Sequence, residues 1–169
     1  MNPTANKSDF EDLTTNLRDL AYSYLEKYSP SKQQLKVHLL KKYLTKIKGT
    51  KSKKEVTAII DEIILGLEKN KILDDELYSD SKARMFLRRG YSLNKINQSL
   101  RNKGIENKHI KQSIDKIKEN EIEPDFVSAL KLCKRRRIGP LRPEANRELF
   151  YKKDMGILAR GGFNFELSK

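Results

Sequence analysis

Apolar residues recur at helical spacing along most of the chain. A first run places Leu13, Leu17, Ala21, Tyr24 and Tyr28 three or four residues apart, so that they share one face of a helix. No segment shows the strict alternation of apolar and polar residues, bounded by turns, that indicates a β-strand. The pattern therefore predicts an all-α protein.

Residues that break or cap helices divide this pattern into short helices. Pro30 interrupts the first run, and Ser31 stands where it can cap a second helix. A lysine-rich connector that contains Gly49 follows. Ser52 with Glu55 three residues later is the capping-box pattern, which opens a third helix. The apolar residues predicted to be buried are Leu35, Leu39 and Tyr43 in the second helix and Val56, Ile59, Ile60, Ile63, Ile64 and Leu67 in the third.

A second group of three helices follows the same order. Asp74, Asp75 and Glu76 stand where a helix begins, and their charges complement the positive end of the helix dipole. Gly90 ends that helix, and Ser92 can cap the next one. The apolar positions of the second and third helices in this group are Ile96, Leu100, Ile110, Ile114 and Ile117.

A third group begins after residues 123–125, where Glu, Pro and Asp mark a boundary. Pro140 and Pro143 separate its first helix from a second. Asp154 is predicted to open a last helix, which ends at the two glycines of residues 161–162.

The first two groups share a pattern over their first two helices. Ala21, Leu25 and Tyr28 correspond to Ala83, Leu87 and Tyr91, and serine follows the tyrosine each time. We therefore predict three tandem three-helix repeats, over residues 12–73, 74–123 and 124–169, after a flexible N-terminus over residues 1–11. Small helical units bury their apolar faces against neighbours, so an elongated, curved array of either hand is expected. The alternative is a single irregular helical domain whose repeats are accidental.

Positive charge is concentrated near the C-terminus. The 36 Lys and Arg residues exceed the 23 Asp and Glu residues, and the formal net charge is +13. Residues 126–169 hold eleven basic side chains against four acidic ones, and six of the eleven are arginines. A generally lysine-rich background would not explain those arginines, which suit bidentate contacts with phosphate or carboxylate. The charge therefore predicts a polyanionic partner.

Cysteine use and hydropathy predict the compartment. Cys133 is the only cysteine, so an intrachain disulfide is excluded and a reducing compartment is favoured. The N-terminus lacks the pattern of a secretory signal, and no run of about eighteen apolar residues occurs. We expect a cytoplasmic protein without a membrane span.

Motifs for catalysis or cofactor binding are absent from the sequence. His38 and His109 are far apart, and Cys133 has no CxxC partner, so no metal-ligand spacing occurs. The nucleotide-binding, nucleophile-elbow and zinc-protease signatures are also missing. Asp74 to Glu76 are explained by a helix N-terminus without a cation. We expect no enzymatic activity, no cofactor and no metal.

Three stretches resemble the RecX family of regulatory proteins. Residues 66–78, which contain Leu73-Asp74-Asp75-Glu76-Leu77-Tyr78, resemble the junction of the first two RecX repeats. Residues 88–105, from Arg88-Arg89-Gly90-Tyr91-Ser92 to Lys103-Gly104-Ile105, resemble the second-repeat signature. Residues 158–165, Leu-Ala-Arg-Gly-Gly-Phe-Asn-Phe, resemble the closing motif. The resemblance covers most of the chain from about Leu17 onward.

The resemblance implies a function in DNA repair and recombination. RecX proteins have three tandem three-helix repeats and no cofactor, and they bind in the groove of the RecA–single-stranded-DNA filament. There they hinder strand exchange, ATP turnover and co-protease activity, which links them to the SOS response. The expected partners are RecA and its DNA filament, with single- or double-stranded DNA as further partners, and the expected state is a monomer. Three departures are a longer first loop, the lysine-rich connector and a chain that stops at Lys169, before another expected turn or two of the final helix.

Basic clusters are the candidate contacts with that filament. The candidates in the second repeat are Arg84, Arg88, Arg89, Tyr91, Lys95, Arg101 and Lys103. Those in the third repeat are Lys134, Arg135, Arg136, Arg137, Arg142 and Arg160. Each alone is explained by a solvated surface charge, but four adjacent cations at 134–137 repel one another unless an anion is near. An arginine side chain can form charge-assisted hydrogen bonds with either phosphate or carboxylate groups.

The alternative function is that of a stand-alone helical DNA-binding protein. The helix pair over residues 92–103 and 106–118, with a short glycine-containing turn, resembles a helix-turn-helix unit. The second helix of this pair shows no distinctive base-reading surface.

Overall fold

A computed structural model describes residues 3–47 and 52–169, and all regular secondary structure within them is helical. The prediction of an all-α protein is confirmed. The chain divides into two compact units, Met1–Tyr78 (unit 1) and Ser79–Lys169 (unit 2). The predicted division into three repeats, and their stacking into a curved array, remain predictions. No helix among the described residues is long and apolar enough to cross a membrane.

The described residues of unit 1 form three α-helices before the start of a fourth. These are α1 (Pro3–Leu25), α2 (Lys32–Lys42) and α3 (Lys53–Lys69), and a π-helical turn, Tyr43–Ile47, extends α2. Ser31 and Gln34 form a capping box at the start of α2, because the Gln34 amide donates to Ser31 Oγ over 3.2 Å and the Ser31 amide donates to Gln34 Oε1 over 3.1 Å. The predicted box of Ser52 and Glu55 opens α3.

The core of unit 1 is the predicted one. All six apolar residues assigned to the inner face of α3 are buried, as are Leu35, Leu39 and Tyr43. Tyr28 is 59% exposed, because α1 ends before it at Leu25. Residues 3–11 belong to α1, so this helix begins earlier than the boundary predicted at residue 12. Gly49 of the lysine-rich connector lies outside the described residues.

The remaining helices lie mostly in unit 2. They are α4 (Asp75–Arg88), α5 (Leu93–Arg101), α6 (Asn107–Asn120), α7 (Pro124–Arg136), α8 (Glu144–Arg160) and α9 (Phe165–Ser168), with a 3₁₀ turn at Gly139–Leu141. Ser92 caps α5 as predicted, because Ser92 Oγ accepts a hydrogen bond from the Lys95 amide over 3.1 Å. Gly90 has a left-handed φ of +74° just after α4, in agreement with the predicted helix end.

Two aspartates make equivalent contacts in the two units. Asp75 Oδ1 accepts a hydrogen bond from the Lys32 amide over 2.9 Å, at the first residue of α2. Asp125 Oδ1 accepts one from the Leu93 amide over 2.7 Å, at the first residue of α5. Each aspartate lies at the start of a later helix and satisfies an amide that the helix itself leaves unpaired. The helices that were matched by sequence, α2 and α5, are therefore anchored in the same way.

The prediction that Asp154 opens a last helix is wrong. Helix α8 runs from Glu144 to Arg160 without a break, and Asp154 lies inside it with its side chain buried. The carboxylate is bound by Arg142 instead of capping a helix. The final helix is the four-residue α9, which Asn164 caps by accepting from the Leu167 amide over 2.9 Å.

Candidate functional site

A groove in unit 2 brings together five of the thirteen candidate side chains. Its volume is about 350 Å³. The candidates that line it are Tyr91, Lys95, Arg135, Arg136 and Arg160, and Leu132, Ile157 and Gly161 complete the wall. We call it the basic groove. It is built from the start of α5, the last turn of α7 and the end of α8.

Glycines allow the end of α8 to approach the start of α5. The Ser92 amide donates to the Gly161 carbonyl oxygen over 3.1 Å. Gly162 has a φ of +88°, and a Cβ atom built there would lie 2.8 Å from Lys95 Cβ and 3.0 Å from the Lys95 nitrogen. Any larger residue would therefore be strained and would collide with the first turn of α5. This contact positions Lys95 and Arg160 at one groove.

A second glycine brings the end of α4 against α7. A Cβ atom at Gly90 would lie 2.8 Å from the Leu132 nitrogen and 2.9 Å from the Ser128 carbonyl oxygen. The next residue, Tyr91, stacks on Phe86 with ring centroids 5.4 Å apart and planes 6° apart. Because Phe86 is buried, its ring fixes one side of the tyrosine. Tyr91 is thus held at the edge of the groove.

The electrostatic character of the basic groove is uniformly positive. Among the described residues that line it, none carries a carboxylate, whereas three carry guanidinium groups and one an ammonium group. Arg135, Arg136 and Arg160 are exposed and Lys95 is half-buried. Guanidinium groups present planar sets of donors that match phosphate and carboxylate oxygens. The arrangement is suited to binding a polyanion.

Arg84 lies in a different groove, which has mixed charge. That groove is lined by Asp80 and Glu121 as well as by Arg84 and Lys116. Burial raises the pKa of the Asp80 carboxyl. Hydrogen bonds from Lys116 and Ser113, together with the positive charges of Lys116 and Arg84, outweigh the effect of burial, so the pKa is lowered overall. Arg84 therefore faces acidic side chains of its own chain.

The guanidinium of Arg142, a predicted anion contact, is bound within the chain instead. Its Nε donates to Asp154 Oδ2 over 2.6 Å and its Nη2 to Asp154 Oδ1 over 2.7 Å. The guanidinium carbon lies 4.4 Å from the centre of the Phe150 ring. Since Asp154 also accepts from the Gly139 amide over 2.9 Å, Arg142 helps to hold the α7–α8 connection. We remove it from the set of anion contacts.

The other candidates lie outside the lining of the basic groove. Arg88, Arg89, Arg101, Lys134 and Arg137 are exposed, and Lys103 is half-buried. The cluster at residues 134–137 lies at the C-terminus of α7, where the helix dipole favours cations. This position reduces the need for an external anion near those four charges.

The groove's apolar wall was not predicted. Leu132 and Ile157 belong to different helices and meet Gly161 only in the folded chain. The only sequence signal near this wall is the pair of glycines at 161–162, which by itself predicts no more than a helix end.

The side chains with reactive potential that the structure describes can be located individually. Within the described ranges, no cluster of three or more His, Cys, Asp or Glu residues could hold a metal ion. His38 stacks on Tyr24 at 3.9 Å, and burial together with Lys42 and Lys41 lowers its pKa. Burial, with the charge of Asp154, raises the pKa of the Cys133 thiol, which makes it a poor nucleophile.

Comparisons with known proteins place the chain in a family. No protein-family model matches it. It is 31% identical over 157 residues to the regulatory protein RecX of Myxococcus xanthus, and the match covers 92% of this chain and 83% of the relative.

Solved structures of the same fold carry the same family name. RecX from Lactobacillus salivarius aligns with a TM-score of 0.62 at 17% identity, over 94% of this chain and 93% of that one. A second crystal structure, of a regulatory protein RecX, aligns with a TM-score of 0.64 at 22% identity, over 99% of this chain and 75% of that one. These two similarities establish the fold, and the sequence identity to the M. xanthus protein over most of both chains shows the family. The chain belongs to the RecX family of regulatory proteins.

Proposed function

We propose that the chain binds the RecA–single-stranded-DNA filament through the basic groove and thereby inhibits the recombinase, ATPase and co-protease activities of RecA. The single observation that carries the proposal is the convergence of Lys95, Arg135, Arg136 and Arg160 on one groove without a carboxylate in its described lining. A nucleoprotein filament offers phosphate oxygens and protein carboxylates, and guanidinium groups bind both. The protein acts in the cytoplasm as a monomer.

Inhibition in this proposal follows from occupancy rather than from chemistry. A helical body anchored in the filament groove by charge-assisted hydrogen bonds occupies space that a second DNA strand or a substrate protein needs. It also slows ATP turnover, because a ligand that binds one arrangement of the RecA subunits opposes any change to another arrangement. No step requires a catalytic residue or a cofactor.

Replacement of two groove arginines tests the proposal directly. The Arg135→Gln/Arg160→Gln variant is expected to bind the RecA filament about tenfold or more weakly, because each arginine supplies charge-assisted hydrogen bonds. The measurement is fluorescence anisotropy with RecA assembled on a labelled oligodeoxythymidine. The matched control is Lys111→Gln/Lys118→Gln, which removes two charges from the exposed side of α6 and is expected to bind within about twofold of the parent.

ATP turnover by RecA gives the second readout. The parent chain is expected to slow turnover, and the arginine variant is expected to need a higher concentration for the same effect. Unchanged turnover at excess parent chain would contradict the proposal. Sequence-specific retention on naked duplex DNA without RecA would instead favour a stand-alone DNA-binding protein.

A further inference from the structure

The basic groove contains an aromatic ring and an apolar wall as well as its cations. Tyr91 lines the groove together with Leu132 of α7 and Ile157 of α8. Phosphate and carboxylate oxygens bind to the cations through charge-assisted hydrogen bonds and gain nothing from contact with apolar surface. A ligand that matches the whole groove therefore carries a planar or apolar group next to its negative charge.

The ring of Tyr91 is held in place as a stacking surface. The buried ring of Phe86 lies nearly parallel to it, with the planes 6° apart and the centroids 5.4 Å apart. Parallel rings at this centroid distance form an offset stack, so they overlap only in part. Tyr91 is half-buried, and the groove meets the part of its ring that Phe86 leaves uncovered. A ring already supported on one side loses little conformational entropy when a second planar group stacks on it.

Gly161 leaves room at the wall of the groove beside Leu132. A Cβ atom built on Gly161 would lie 2.9 Å from Leu132 Cδ2 and 2.9 Å from Phe163 Cε2. Glycine is the residue that allows a backbone to approach a ligand closely, because it has no side chain. The groove volume of about 350 Å³ is at the small end of ligand pockets, which suits one planar ring with its phosphates.

We propose that the basic groove binds a nucleotide of single-stranded DNA, with its unpaired base stacked on Tyr91 beside Leu132 and Ile157 and its phosphates on the surrounding cations. A base inside a duplex has both faces covered by its neighbours and must leave the stack before it can meet Tyr91. Stacking on an aromatic ring is tolerant of sequence, because every base has a π-face. The base site rests on the function proposed above and deepens it, because it assigns the groove to the DNA strand and not to acidic side chains of RecA.

Two oligonucleotides with the same phosphates separate the contribution of the base. One is a short labelled oligodeoxythymidine, and the other has abasic sites in place of the thymidines. Fluorescence anisotropy with the chain alone is expected to show about tenfold tighter binding of the oligodeoxythymidine, because stacking of a base on an aromatic ring adds to the phosphate contacts. A strand that carries 2-aminopurine reports stacking directly, and its emission is expected to be quenched on binding.

Three tyrosine variants connect the preference to Tyr91. Tyr91→Leu removes the stacking ring and is expected to bind the two oligonucleotides within about twofold of each other, with the same salt dependence as the parent, because the cations remain. Tyr91→Phe keeps a ring and is expected to retain the preference. Tyr28→Leu is the matched control, because Tyr28 also packs on a tyrosine, Tyr24, with centroids 4.9 Å apart, but does not line the basic groove. Circular dichroism checks that the variants remain folded.

Equal affinity of the parent for the normal and the abasic strand would overturn the inference, and this comparison needs no variant. A preference that Tyr91→Leu retains, or that Tyr28→Leu loses to the same extent, would also overturn it. Binding to the RecA filament without binding to the oligodeoxythymidine would mean that the groove meets carboxylates of RecA, which overturns the base site and leaves the proposed function standing. Base-dependent binding to the strand by a chain that does not bind the filament would contradict the proposed function alone.

Discussion

The side chain of Asp154 binds the segment that joins α7 to α8. Its two carboxylate oxygens receive hydrogen bonds from the Arg142 guanidinium and from the Gly139 amide. The bonds from Arg142 lower the pKa of Asp154 more than burial raises it, and the Gly139 amide adds to the lowering. The ionised carboxylate therefore stabilises the fold next to the last turn of α7, where Arg135 and Arg136 begin the basic groove.

The first residue-scale prediction concerns the pH dependence of this contact. Because the pKa of Asp154 is depressed in the folded state, its contribution to stability is present above the unfolded-state pKa of about 3.9 and is lost as the pH falls towards the folded-state pKa. Asp154→Asn is expected to lower the Tm by several degrees at neutral pH, and the difference from the parent should narrow below about pH 4. Thermal melts followed by circular dichroism across this range provide the measurement.

The control for this prediction is Asp19→Asn, on an exposed position of α1. It is expected to melt close to the parent at neutral pH. A Tm difference for Asp154→Asn that stays constant from neutral to acidic pH would show that the amide replacement alters packing rather than an ionic contact.

Local contacts could be predicted from the sequence, and distant ones could not. Ser31, Ser52 and Ser92 were identified as caps because each depends on residues within one turn of itself. The pairing of Arg142 with Asp154 spans twelve residues and two elements, and nothing in the sequence distinguishes that aspartate from one that opens a helix. The sequence does not show this distant contact. For that reason the helix boundary predicted at Asp154 and the anion-binding role predicted for Arg142 are both wrong.

At the scale of elements, glycines decide how closely helices approach. Gly162 packs on the first turn of α5 with a left-handed φ. Gly66 lies inside α3, and a Cβ built on it would have no atom within 4 Å beyond its chain neighbours and the backbone of its own helix. The same substitution is therefore predicted to have opposite effects at the two positions.

Gly162→Ala is expected to destabilise the chain by about 2 kcal/mol or more, because the backbone is left-handed and Lys95 lies too close. Gly66→Ala is expected to stabilise it by about 0.5–1 kcal/mol, because alanine restricts the unfolded chain and favours the helix. Urea unfolding measures both changes. A stable Gly162→Ala variant would show that α5 and α8 do not need this approach to hold the basic groove.

Helices with a continuous apolar stripe were predicted almost completely. The six buried residues of α3 were all identified, because burial of that face follows directly from the spacing of isoleucine and leucine. The last group was predicted less well. Helix α8 has Leu149 77% exposed and Asp154 buried, so its periodicity does not reveal which side faces the core.

At the scale of the whole molecule, the sequence predicts the sign of the proposed partner's charge but not the place where that partner would bind. The net charge of +13 and the arginines of residues 126–169 predict a polyanion. Which of them converge depends on contacts among α5, α7 and α8, and only five of the thirteen candidates line the basic groove. Composition is a property of the chain, whereas a binding site requires tertiary contacts between distant residues.

The salt dependence of filament binding follows from this charge. Each phosphate neutralised on a single strand releases counterions, and the logarithm of the affinity then falls with the logarithm of the salt concentration, with a slope of about −0.7 per contact. If the four cations of the basic groove all meet phosphates, the slope should be about −3, and about −1.5 for Arg135→Gln/Arg160→Gln. Anisotropy titrations on filaments locked with a non-hydrolysable ATP analogue, at several salt concentrations, measure both slopes. Parallel lines with different affinities would mean that these arginines meet carboxylates of RecA instead of DNA phosphates, since pairing between protein charges releases no condensed counterions from the strand.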